Sequence, residues 1–296
     1  MNKLILITGA TGGIGKHYSQ YMLERGYDVV LTYRKEDEAK KLQKELQSKF
    51  PNSKVDIMKI DLGSFDSIKE FVLEFKKKYK RLDVLVHNAG VYYFDSNKRE
   101  SKEGVELNMQ VHVVAPYILT GLLFELLQKT ANSKVITVSS TEHKGSSVNV
   151  DDLILKDSFD SIGNMKAYSS SKFAGLVLMK ELSRRLESHG EDITSLAAHP
   201  GVSITGIQHK GNPNAIQKFM IGIMGKVLAQ KPEDAAKPLV MATVNGENGQ
   251  FYGPTGFKES KGEPGLVEVD KNTLDEELGR KLWEKLEEVT NVRYLD

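Results

Sequence analysis

An apolar run, Leu4-Ile5-Leu6-Ile7, passes straight into Thr8-Gly9-Ala10-Thr11-Gly12-Gly13-Ile14-Gly15, and then into a stretch of helical periodicity marked by Tyr18, Tyr21 and Met22. A strand, a glycine turn and a helix start, in that order, constrain the fold more than any other stretch. Glycines let the backbone approach a pyrophosphate, and the free N–H groups and dipole of the helix N-terminus hold its charge. The spacing is G-x-x-x-G-x-G, not the commoner G-x-G-x-x-G. A glycine turn without a ligand has the same local pattern, so the rest of the chain must decide.

The alternation continues. Asp28–Tyr33, Val55–Ile60, Val84–Val86, Val135–Val138 and Ile193–Ala198 read as strands, each separated from the next by helical periodicity. Glu103–Thr130 reads as one long helix that Pro116 should kink. A second long helix is expected from about Lys166 to Ser188, a short final strand at Gln250–Tyr252, and a terminal helix over about 273–290. Together these predict an α/β fold: a Rossmann-type, doubly wound parallel sheet in three αβα layers. One domain over 1–296 is expected, with a small C-terminal substrate-loop region at about 203–230. In such sheets ligands lie beyond the C-terminal strand ends. The glycine loop, Asp61, Asn88, Ser140 and Pro200-Gly201 all fall at such ends, which points to one site. Leu274, Leu278, Leu282 and Leu286 form a terminal stripe that suits either a homodimer face or packing on its own domain.

Composition narrows the partners. The chain carries 41 Lys+Arg against 40 Asp+Glu, so no overall field favours nucleic acid or an anionic membrane. There is no cysteine, which excludes disulfides, thiolate metal sites and cysteine nucleophiles; no metal is expected. The apolar start is too short for a signal peptide, and no run reaches the roughly 18 apolar residues of a membrane span. A soluble, cytoplasmic protein acting on a small molecule is the expectation. The basic run Lys76-Lys77-Lys78-Tyr79-Lys80-Arg81 reads as a solvated last helical turn.

Tyr168 and Lys172, four residues apart on a helix, share one face. A phenol of pKa near 10 is a poor base at neutrality, and an adjacent ammonium would stabilise the phenolate. Bringing it to neutrality needs roughly 4 kcal/mol of differential stabilisation. A hydroxyl such as that of Ser140 could orient a substrate oxygen. Alone, such a Tyr and Lys pair is commonplace.

Taken in order, the glycine loop, Asp61-Leu62, Asn88-Ala89-Gly90, Ser140, Tyr168-x-x-x-Lys172 and Pro200-Gly201 resemble the short-chain dehydrogenase/reductase superfamily over most of the chain. Asp61-Leu62-Gly63-Ser64, Glu181-Leu182-Ser183-Arg184-Arg185-Leu186, His199-Pro200-Gly201 and Arg280-Lys281-Leu282-Trp283 look like its retinol dehydrogenase-like branch. The resemblance implies direct hydride passage between substrate carbon and a nicotinamide. It implies that Tyr168 exchanges the proton, that Lys172 lowers the tyrosine pKa and holds the nicotinamide ribose, and that Ser140 positions the carbonyl. Thr8, Gly9, Thr11, Gly13, Ile14 and Gly15 would hold the phosphates, Asp61 and Leu62 the adenine edge, and Asn88, Ala89 and Gly90 the strand end and ribose. Pro200, Gly201 and Thr205 would meet the nicotinamide end.

Two departures from the family pattern stand out. His112 occupies the position where the family usually has an Asn that helps relay protons from the lysine, so His112 is either a pH-sensitive relay or a packed helix residue. His87 replaces a second Asn and reads as structural. For the cofactor, the second strand ends in Tyr33-Arg34-Lys35, with no carboxylate to repel a 2′-phosphate, so NADP(H) is favoured over NAD(H). The pocket walls, Val91-Tyr92-Tyr93-Phe94, Thr141–Gly145 and Ser203–Leu228, suit a medium-sized or lipophilic carbonyl or alcohol, although Met220 and Met224 could equally fill core under a lid. The alternative is an NADP(H)-binding regulator with little turnover.

Overall fold

In the computed structural model of the chain, described for residues 2–92, 99–155, 159–202 and 230–296, every predicted strand is present. The elements run β1 (Leu4–Ile7), α1 (Gly13–Leu23), β2 (Asp28–Tyr33), α2 (Glu36–Lys49), β3 (Val55–Lys59), α3 (Phe65–Lys78) and β4 (Val84–His87). There follow α4 (Leu107–Met109), a π-helical turn (Gln110–Val114), α5 (Ala115–Gln128), β5 (Ser133–Val138), α6 (Phe159–Ser188) and β6 (Ile193–Ala198). The chain closes with α7 (Pro232–Asn245), β7 (Phe251–Pro254), β8 (Pro264–Leu266) and α8 (Glu276–Thr290).

The eight strands form one sheet in the order β3-β2-β1-β4-β5-β6-β7-β8, parallel except for β8 against β7. Strand order reverses between β1 and β4, which opens a crevice at their C-terminal ends. Side chains alternate across the sheet. Ile5 and Ile7 join Val29, Leu31, Val84 and Val86 in a core under α1, α2 and α7. Leu4 and Leu6 join Val30, Leu85 and Val135 in the core under α3, α5, α6 and α8. Both faces are covered, so the strands read as unbroken apolar runs; each fully buried Ile contributes about 1.5–3 kcal/mol.

Three details differ from the sequence expectation. The long helix begins at Leu107, not Glu103, because the Glu106 carboxylate caps it by accepting from the Met109 amide. Pro116 lies in the first turn of α5, and the helix adapts to it through the π turn just before. The stretch Leu107–Gln128, of mean hydropathy 1.5, is long and apolar enough to cross a membrane, contrary to the sequence reading, but 83% of its most apolar window is buried inside the protein, as in a core helix. The terminal stripe is spent internally: Leu282, Trp283 and Leu286 are fully buried in the core beneath α6, while Leu274 stays 46% exposed. The tail then crosses α5, where Tyr117 Oη donates to the Val292 carbonyl and the rings of Tyr117, Trp283 and Tyr294 meet in edge-on and tilted contacts.

Candidate active site

The glycine loop is built by close backbone contacts. Gly9 has φ +66°, and a Cβ there would lie 2.7 Å from Ala89 Cα; a Cβ on Gly15 would lie 2.9 Å from Ala10 Cα. From behind, Asn88 Nδ2 donates to the carbonyls of Thr8 (2.8 Å) and Gly9 (3.1 Å), and Thr8 Oγ1 accepts from the amides of Asn88 and Ala89, both at 3.0 Å. Asn88 thus braces the loop. The outer side is open: Gly12 is exposed, and its absent Cβ would approach only the Gly9 carbonyl, at 3.5 Å. Helix α1 has no side-chain cap and no acidic residue in its first turn, whereas α2, α3, α7 and α8 each carry one. Its first amides are left to an anion, which fits the pyrophosphate of a dinucleotide.

The catalytic candidates meet beyond β5. Ser140 follows that strand by two residues, and its hydroxyl acts on the phenol of Tyr168 on α6. Tyr168 is 7% exposed, in edge contact with the rings of Tyr92 (5.0 Å between centroids) and His112 (5.5 Å). Burial pushes its pKa up to about 12, with the Ser140 hydroxyl working the other way. The sequence reading expected Lys172 to lower it. The ammonium is turned elsewhere: Nζ donates to the Val138 carbonyl at 2.9 Å and lies 5.7 Å from the Tyr168 ring centroid. Burial brings the pKa of Lys172 itself down to about 7, so its charge is weakened as well. Desolvation outweighs the neighbour, and Tyr168 stands as a phenol ready to donate.

His112, on the π turn, is fully committed. Its Nε2 accepts from the Val91 amide at 3.1 Å, and its Nδ1 lies 2.8 Å from Ser171 Oγ. The Ser171 hydroxyl donates to the Tyr168 carbonyl at 2.7 Å, so Nδ1 must carry the proton. Burial, helped by the charge of Lys172, holds the imidazole pKa well below its usual value. Ser171 is a site residue that sequence reasoning missed, since nothing distinguishes it among Ser169-Ser170-Ser171.

The family described as short chain dehydrogenase matches residues 3–215. This chain belongs to the short-chain dehydrogenase family. The chain is an oxidoreductase of the kind that acts on CH–OH groups. It is similar to retinol dehydrogenase 13 of Mus musculus, 32% identical over 287 residues that cover 95% of this chain and 81% of that protein. It is also similar to the polyprenol dehydrogenase of Homo sapiens, 28% identical, covering 98% of this chain and 86% of that one. Among solved structures, a short-chain dehydrogenase from Sphingobium yanoikuyae in complex with NADPH shares the fold with a TM-score of 0.64 and 19% identity, over 83% of this chain and 86% of that one.

In this short-chain dehydrogenase the β2 end carries Arg34, exposed and with no ion-pair partner among the described residues, while Lys35 is held by Glu38 at 3.0 Å. Asp61 is exposed beyond β3, its Oδ1 accepting from the Gly63 amide at 3.0 Å; the buried Leu62 offers its carbonyl to Gln110 Nε2 at 2.7 Å. Thr11, Gly13 and Ile14 lie on the open turn and first helical residues, and Gly90 follows Ala89 at the exposed end of β4. Pro200 and Gly201 (φ +67°) follow β6, beside the strand that leads to Ser140. Thr205, Tyr93, Phe94, Met220 and Met224 lie outside the described residues.

Proposed function

We propose that this short-chain dehydrogenase is an NADP(H)-dependent oxidoreductase acting on a medium-sized or lipophilic carbonyl and its primary or secondary alcohol. The carrying observation is the Ser140 hydroxyl set beside the buried phenol of Tyr168, with Lys172 one helical turn along. A bound nicotinamide would supply or accept the hydride. The chain's own residues do the rest. Ser140 and Tyr168 present two hydroxyls to one substrate oxygen, and the Tyr168 phenol gives that oxygen its proton on reduction. Lys172, anchored on the Val138 carbonyl, would meet the nicotinamide ribose, and the edge of the Tyr92 ring lies against the phenol. The glycine loop and the α1 N-terminus hold the pyrophosphate, and Asp61 the adenine edge. Arg34, with no carboxylate on it among the described residues, would bind a 2′-phosphate.

Relatives named for retinol and for polyprenol, both long apolar alcohols, support the lipophilic substrate class. The test is NADPH oxidation against a panel of aldehydes, ketones and quinones, with NADH in parallel, for wild type and Tyr168→Phe. Turnover is expected with NADPH preferred. Tyr168→Phe should abolish it while leaving NADPH affinity within a few-fold; undiminished turnover in that variant would remove the mechanism.

A further inference from the structure

Behind the catalytic residues lies a cluster contributed by the C-terminal segment. After β7 the backbone turns through Phe257–Glu259, and both Lys258 and Glu259 adopt left-handed conformations, φ +50° and +53°. Non-glycine residues avoid this region, so the surrounding packing must hold these two there. The turn aims Glu259 inward. Its Oε1 lies 2.6 Å from Lys144 Nζ and its Oε2 lies 3.2 Å from Nε2 of His199, whose side chain is completely buried. The His199–Glu259 contact is ionic in distance without hydrogen-bond alignment, and neither atom has a hydrogen-bond partner among the described residues. Each therefore depends on the other for compensation. His199 beside it holds the Glu259 carboxyl down at about 2.

What these partners are attached to gives the cluster its meaning. His199 Nδ1 accepts from the Gly201 amide at 3.1 Å, so His199 shapes the Pro200-Gly201 turn beyond β6. The same turn is held by Ser260, next to Glu259, whose carbonyl accepts from the Val202 amide at 2.8 Å. Lys144 ends the short segment that starts at Ser140. Within that segment His143 Nδ1 donates to the Ser140 carbonyl at 2.6 Å, and His143 Nε2 accepts from the Asp270 amide at 3.2 Å. One carboxylate thus joins two neighbouring strand ends, one bearing the catalytic serine and the other bearing Pro200-Gly201.

We propose that Glu259 is a positioning residue that clamps the Ser140–Lys144 segment to the His199–Gly201 turn and so sets the nicotinamide end of the site. The inference rests on the dinucleotide reading above. It predicts that loss of the clamp is felt at the nicotinamide end and not at the adenine end, since Arg34, Asp61 and the glycine loop share no described contact with Glu259.

The experiment measures binding of NADPH and of 2′-phospho-ADP-ribose, which lacks the nicotinamide, together with kcat and KM, for wild type, Glu259→Ala, Glu259→Asp and Lys144→Met. Glu259→Ala should weaken NADPH five-fold or more and lower kcat at least ten-fold, with 2′-phospho-ADP-ribose affinity within two-fold of wild type. Glu259→Asp should recover part of both losses. Lys144→Met, which leaves the His199 contact in place, should lower kcat a few-fold without changing NADPH affinity, and it tests the clamp even if Glu259→Ala does not fold. Equal weakening of both nucleotides in Glu259→Ala, or unchanged kcat in Lys144→Met, would overturn the proposal. A wild-type chain that binds neither nucleotide would instead overturn the dinucleotide reading, and the clamp with it.

Discussion

His112 Nδ1 lies 2.8 Å from Ser171 Oγ, and the Ser171 hydroxyl is already given to the backbone carbonyl of the catalytic candidate, Tyr168. The imidazole is therefore a neutral bridge from the Val91 amide to the Tyr168 turn, with no nitrogen left over for a proton chain. A neutral bridge should leave no ionisation near pH 6.5 in the kcat profile of the wild type. His112→Leu should lower kcat about ten-fold and cost roughly 1–3 kcal/mol of stability by orphaning the Val91 amide. A limb near pH 6.5 that disappears in His112→Leu would show a relay instead.

The proposed preference for NADP(H) rests on Arg34. Substituting Arg34→Ala should raise the Kd for NADPH by about ten-fold or more, the equivalent of roughly 1.4 kcal/mol, and change that for NADH by less than two-fold. Titration of both nucleotides by protein fluorescence reads this directly. Equal losses would mean that the guanidinium does not face a 2′-phosphate.

Lys172 links pH to stability. Its folded pKa, about 7, lies below the roughly 10.4 of an unfolded lysine, so between these values the unfolded chain binds more protons. The penalty for burying the charged form is full below pH 7 and disappears as pH rises toward 10. This group alone therefore raises unfolding free energy across that window, by at most about 1.4 kcal/mol per pH unit. Urea denaturation of the nucleotide-free protein at pH 7, 8 and 9 should show the rise, and Lys172→Met should flatten it. The same slope in both proteins would assign it elsewhere.

The tail packs where α5 has no side chain. A Cβ at Gly121 would lie 2.6 Å from the Tyr294 ring and 2.7 Å from Val292 Cγ1. Gly121→Val should therefore destabilise by about 1–3 kcal/mol and red-shift the emission of Trp283, the one tryptophan, whose ring lies tilted against Tyr294. Removing residues 292–296 should make the same substitution nearly neutral. A full cost in the shortened chain would place the strain outside the tail.

The strands were legible because a parallel strand covered on both faces is an unbroken apolar run, and β2 and β6 begin and end where the sequence put them. Their ends then grouped the polar residues without any side-chain geometry. The π turn escaped, since Pro116 announces a disturbance but not its form. Strand β8 escaped because Pro264 and Gly265 carry no strand pattern. The effect of burial on Tyr168 and Lys172 was not legible for a physical reason: spacing reveals a neighbour, whereas desolvation depends on everything packed around it. Glu259 lay beyond pattern reading altogether. It is aimed by two left-handed residues that no propensity favours.

The phenol of Tyr18, on the helix of the glycine loop, is hydrogen-bonded to Thr243 Oγ1 at 2.9 Å, 225 residues further along. Tyr18 and Met22 share their core with Ala235, Ala236 and Leu239 of α7. A ribosome thus completes the nucleotide-binding half of the sheet long before the helix that covers it emerges. Until then the nascent chain carries an uncovered apolar face on α1, a surface for chaperones to hold and a cause of aggregation if release comes early.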